Sequence, residues 1–189
     1  MPPRLKITKE DIIKTTLELV RKDGEEFLNA RAVAATLGCS TQPIFSNFSS
    51  MEELQEAVMR SAYDLYLDFL RCDVESGKYP KYKAFGMAYI RFAKEERNLF
   101  KMLFMCDRKG KDLTPTADFN ASVEIIMTAN SVSKEQAELI HLEMWAFVHG
   151  VATMSVTSFL ALDWELISSM LTDVYQGIRA RHLSKEGKE

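Results

Sequence analysis

The stretch that most constrains the fold is 29–48, NARAVAATLGCSTQPIFSNF. Asn29 is a good start for a helix, because its side-chain oxygen can accept amide hydrogens left free in the first turn. Val33, Ala34 and Leu37 then form one small apolar face over about 30–37. Gly38 follows, the residue type that tolerates the left-handed backbone ending a helix. Ser40 can cap a second helix. Pro43 falls in the first turn of that helix, where a missing amide hydrogen costs little. Ile44, Phe45 and Phe48 supply its apolar anchors, so the stretch reads as a helix-turn-helix.

The surrounding sequence extends the helical pattern. Thr8 and Asp11 make a capping-box start, and Ile12, Ile13, Thr16, Leu17 and Val20 form the buried stripe of a first helix over about 9–22. Phe27 is expected to pack beneath the helix-turn-helix. Ser50 and Glu53 begin a long helix to about Ser76, with Leu54, Val58, Ala62, Leu65, Phe69 and Cys72 at helical spacing. Further helices are expected over Tyr82–Glu95, over Leu99–Cys106 capped by Asn98, and from Thr114-Pro115 to about Asn130. Two long ones follow, Ser133–Leu160 and Asp163–His182. With 5 Pro, 8 Gly and few alternating β-type runs, the expected class is all-α. The domain boundary falls near Ser49, giving 1–49 and 50–189.

No segment approaches eighteen uninterrupted apolar residues, and the N-terminus lacks the apolar core of a signal peptide. A cytoplasmic location is expected, with no membrane contact. Cys39, Cys72 and Cys106 are widely spaced and fit reduced thiols rather than disulfides or a zinc site. No GxSxG elbow, phosphate-binding glycine loop or metal-spaced His pair is present, so neither an enzyme nor a cofactor is expected.

Residues 8–58 resemble the DNA-binding domain of the tetracycline-repressor (TetR) family. The resemblance is carried by Ala34, Ala35, Gly38, Ser40, Ile44, Phe45, Phe48 and Leu54, which follow the family's "A…A…G.S…LY..F….L" run. A second likeness lies in Trp145 to Gly150, a "W…HG" segment similar to one C-terminal subgroup. The resemblance implies a dimeric transcriptional regulator, with two chains paired through the last two long helices and a small-molecule effector bound in the C-terminal domain. It also implies that Thr41, Gln42 and Pro43 approach bases while Ser40, Phe45, Ser46 and Asn47 lie near phosphates. Arg4, Lys6 and Arg31 are the cations on the DNA side; the arm carrying Arg4 and Lys6 reads equally as a solvated terminus. Phe45 stands where the family usually has Tyr, and Met51 where it usually has Lys.

Charge runs the other way. The formal net charge is -3, and no Lys or Arg occurs from Ala32 to Met59. DNA affinity rests heavily on neutralised phosphates, so such a reading helix depends on hydroxyls and backbone amides. This motivates an alternative: a helical ligand-binding or protein-interaction module with weak or lost DNA binding. Tyr66, Phe69, Tyr89, Phe92, Phe104, Met127, Trp145 and His149 are the candidates to line an apolar effector cavity; a filled core is the other outcome for the same stripes. His149 reads as a packed histidine, a pocket group or a metal ligand. Glu138 and His141, three residues apart, read as a surface ion pair.

Overall fold

The structure is a computed structural model that describes residues 7–107 and 117–184. Arg4, Lys6 and the expected helix start at Thr114-Pro115 lie outside these residues. Among the described residues the chain forms nine α-helices and one 3-10 turn, and no strand. Packing divides it into two units: residues up to Leu65 with Glu96–Asp107, and Tyr66–Glu95 with the residues after 107.

In the first unit, α1 (Lys9–Asp23) starts at Thr8, whose hydroxyl accepts from the Asp11 amide while the Asp11 carboxylate accepts from the Thr8 amide. It buries Ile12, Thr16 and Val20, and Thr16 satisfies its hydroxyl on the Ile12 carbonyl at 2.7 Å. A 3-10 turn (Glu25–Phe27) leads to α2 (Ala30–Thr36), capped by Asn29, which accepts from the Ala32 amide at 3.0 Å. Gly38 takes the left-handed conformation at φ 64°, and α3 (Gln42–Asn47) follows. The capping expected of Ser40 does not occur. Thr41 occupies that position, and its carbonyl, not its side chain, accepts from the Ile44 and Phe45 amides. Ile44 and Phe48 are buried beneath α3, whereas Phe45 and Phe27 are exposed, so the expected packing of those two rings is corrected. A helix of six residues has only one inward face, and Ile44 with Phe48 occupies it.

α4 (Met51–Glu75) is one uninterrupted helix. Its buried positions are Leu54, Val58, Ala62, Tyr66 and Leu70. The expected stripe is right as far as Ala62 and then one residue early: Leu65 and Phe69 are half-buried and Cys72 is exposed. α6 (Arg97–Phe104) belongs to the first unit and packs on α1. Asn98 lies inside α6 and does not cap it; its side-chain amide donates to the Arg21 and Lys22 carbonyls at the end of α1.

The second unit holds α5 (Lys81–Glu95), α7 (Ala117–Asn130), α8 (Lys134–Val156) and α9 (Trp164–Leu183). α8 packs on α5, α7 and α9. By length and composition α8 would pass for a membrane span, yet here it is the helix the other three pack around. It ends four residues before the expected Leu160, and Ser158 turns the chain at φ 56°. Val123, Ile126, Val132, Ala137 and Ile140 form a core at one end of this unit. Within the chain, close helix approach occurs at Gly86. A Cβ there would meet Leu171 Cδ2 at 2.9 Å and Val148 Cγ2 at 3.4 Å, whereas one at Gly150 would meet nothing within 4 Å.

Candidate functional site

Two places can do chemistry: the outer face of α3, and a cavity in the second unit. On α3, Ser40, Gln42, Phe45 and Ser46 are exposed, Thr41, Pro43 and Asn47 half-buried, and Arg31 is exposed at the start of α2. Ser46 donates its hydroxyl to the Gln42 carbonyl at 2.9 Å, and Asn47 donates to the Pro43 carbonyl at 2.8 Å. Both side chains therefore keep acceptor oxygens for a partner. Gln42 presents an amide that can donate and accept at once, the pairing that suits an adenine edge.

Behind α3, Glu53 ties the head together. Its carboxylate takes Lys9 Nζ at 2.7 Å and the Ser49 amide and hydroxyl at 2.8 Å each. Lys9 first, then Ser49, hold its pKa down at about 2. Lys9 also lies 4.6 Å over the Phe48 ring.

The cavity measures about 570 Å³, within the usual range for small-molecule sites. Tyr82, Phe85, Gly86 and Tyr89 line it from α5, Ile125 and Asn130 from α7, His141, Met144, Trp145 and Val148 from α8, and Leu171, Tyr175 and Arg179 from α9. Tyr66 and Leu70 contribute from α4. Tyr66 donates its hydroxyl to Asp118 at 3.3 Å. Tyr82 and His141 Nδ1 share a hydrogen bond at 3.0 Å, and so do Tyr89 and His149 Nδ1 at 2.9 Å.

Residues 82–174, which span α5 to α8 and half of α9, match the profile of the tetracyclin repressor-like C-terminal domain. The chain is also similar to an uncharacterised helix-turn-helix-type transcriptional regulator of Mycobacterium tuberculosis, 23% identical over 159 residues that cover 82% of this chain and 73% of that one. Residues 82–174 are thus a tetracycline-repressor-like C-terminal domain, in a chain similar to a transcriptional regulator.

Three of the eight effector candidates line the cavity: Tyr66, Tyr89 and Trp145. Phe69 and Phe92 are not among the lining; they pack edge-to-face at 5.2 Å, and Phe92 is fully buried. Phe104 belongs to the first unit and packs on Phe100. Met127 packs against the core cluster. His149 stands behind the wall, bonded to Tyr89 and stacked at 5.0 Å on Trp145. Sequence reasoning missed Tyr82, Gly86, Lys83 and Arg179. Tyr82, Gly86 and Tyr89 recur at spacings of four and three, so one face of α5 carried the signal. Among the described residues no group of three or more His, Cys, Asp and Glu is placed to hold a metal ion.

The surface pair expected of Glu138 and His141 does not form: Glu138 pairs with Lys134, and His141 turns inward to Tyr82. Burial lowers the His141 pKa to about 4, against a weaker opposing pull from Asp118. His141 is neutral when folded but takes a proton in the unfolded chain below about pH 6.5. Stability attributable to it is therefore intact near pH 7 and declines as the pH falls from about 6.5 towards 4. The loss should reach roughly 3 kcal/mol at the bottom of that window. Burial shifts His149 in the same direction. Urea unfolding at pH 7 and pH 4.5 checks this: His141→Gln should lose less stability between the two than the parent.

Proposed function

We propose that this protein is a ligand-responsive repressor acting in the cytoplasm. Residues 1–49 are the reading head and residues 50–189 the effector and dimerisation region. The observation that carries the reading is the exposed polar face of α3, Gln42 and Ser46, held over a fully buried Ile44, with Arg31 exposed on α2. Such a helix fits a major groove. Two copies related by a two-fold axis would read a palindrome with half-sites about 34 Å apart, one turn of DNA.

Pairing through α8 and α9 is supported by the apolar side chains they expose: Leu139 and Leu142 on α8, Leu166 on α9. Gly150 and Gly177, each with open space where a Cβ would stand, leave room for a partner helix. A small apolar or aromatic effector in the cavity would favour a conformer that no longer fits the operator. α4 supports this coupling, because it runs unbroken through Leu65, where the two packing units divide. By linkage, operator DNA would weaken effector binding by the same factor.

Selection of duplexes from a random pool tests the reading, and recovery of a two-fold symmetric motif is the expected result. On that motif, Gln42→Ala should cost about 1–3 kcal/mol and relax preference at one base position. Arg31→Ala should lower affinity for all duplexes alike and reduce the salt slope by about one. A second reading, a ligand or partner module without operator binding, is motivated by the absence of Lys and Arg from Ala32 to Met59. Uniformly feeble binding to every duplex by a folded dimer would favour it.

A further inference from the structure

The cavity is lined by cations as well as by aromatic residues. Lys81 and Lys83 from α5 and Arg179 from α9 all line it, and Asp118 is the single carboxylate among the lining residues. The acceptors these cations use are neutral. Lys83 donates to the Thr172 hydroxyl at 2.8 Å and lies 5.2 Å over the Tyr79 ring. Arg179 donates to the Asn130 side-chain oxygen at 2.5 Å. None of the ion pairs among the described residues involves Lys81, Lys83 or Arg179. Asp118 itself accepts from Tyr66. His141 lies among the same lining residues, held by Tyr82. The cavity wall thus combines apolar and aromatic surface with more cations than carboxylates, and among the described residues none of those cations is held in an ion pair. A hydrocarbon alone would leave that charge unused, and an organic cation would be repelled by it. A charge-assisted hydrogen bond to an anion is about twice as strong as a neutral one.

We propose that the effector is an amphipathic organic anion, its flat or alkyl body against Tyr89 and Trp145 and its carboxylate at Lys83 and Arg179. This rests on the effector reading above and narrows it to one charge class.

The test uses the full-length protein and two probe triplets, each with one apolar body and three heads. One is 2-naphthylacetate, its amide and the matching ethylammonium; the other is decanoate, decanamide and decylammonium. Calorimetric titration should give the carboxylate about tenfold tighter binding than the amide at low salt, with the ammonium weakest. That preference should shrink as salt is added, because Arg179 is exposed. Lys83→Gln and Arg179→Gln should each weaken the acid far more than the amide. Amide and acid binding equally, or the ammonium binding best, overturns the anion while leaving an effector cavity in place. No binding by any of the six probes to a protein folded by circular dichroism overturns both. A carboxylate that binds tenfold better yet leaves affinity for the selected operator unchanged keeps the anion site and removes the effector role.

Discussion

Phe48→Ala is expected to destabilise the protein by about 3–5 kcal/mol, the usual cost of emptying a fully buried aromatic site. The Phe48 ring is 2% exposed and closes the space beneath α3. Its amide also ends α3 by donating to the Ile44 carbonyl at 2.9 Å, so backbone and ring act at one point. Lys9 lies above the ring and is in turn held by Glu53. The site cannot collapse cheaply, which is the condition under which a cavity costs most. Phe45→Ala, three residues away and 52% exposed, should change stability by no more than about 0.5 kcal/mol. Urea unfolding of the two variants side by side checks the contrast. Equal losses would mean that α3 presents a different face to the core.

The second large effect is at Arg21. Its guanidinium grips the Glu96 carboxylate through two nitrogens, Nε at 2.6 Å from Oε2 and Nη2 on Oε1. Glu96 is 5% exposed, while Arg21 keeps much of its surface in water. Arg21→Met leaves a carboxylate buried without its counter-charge, and this should cost about 3 kcal/mol, the low end for such pairs because the arginine side is wet. Glu96→Gln on top of it should restore part of the loss, since the uncompensated charge is then gone. Thermal unfolding of the single and double variants measures the recovery. A double variant no better than Arg21→Met would place the cost elsewhere, in lost packing of the arginine stem.

What the sequence made legible was local. Thr8 and Asn29 both cap the helices assigned to them, because a cap needs only a side-chain oxygen two or three residues from an amide. The failures are tertiary. Ser40 and Thr41 are both capping types, and only the turn geometry decides which one stands at the helix start. Phe27 and Phe45 are apolar but sit where the small head has no second inward face. On α4 the buried positions recur every four residues as far as Leu70, so a stripe counted with a three-residue step drifts off by one after Ala62. The cavity was half legible. Its aromatic wall follows helical spacing, but Lys83 and Arg179 are ninety-six positions apart and come to line one cavity only through the packing of α5 against α9. His141 looked like a surface residue because Glu138 lies one turn away, and periodicity cannot say which of two neighbours turns inward.

The α1–α6 contact has a consequence for the order in which the chain can fold. The head's packing unit is discontinuous: Glu96 and Asn98 grip the end of α1 only after some seventy further residues have been made. On a growing chain the first fifty residues can form their helices, but α1 waits for its partner. Closing so long a loop adds only a modest entropic penalty, yet it delays completion until residue 104 is available. A fragment that stops after the helix-turn-helix therefore leaves Arg21 and the α6-facing side of α1 uncovered. Any attempt to transplant this reading head should carry α6 with it.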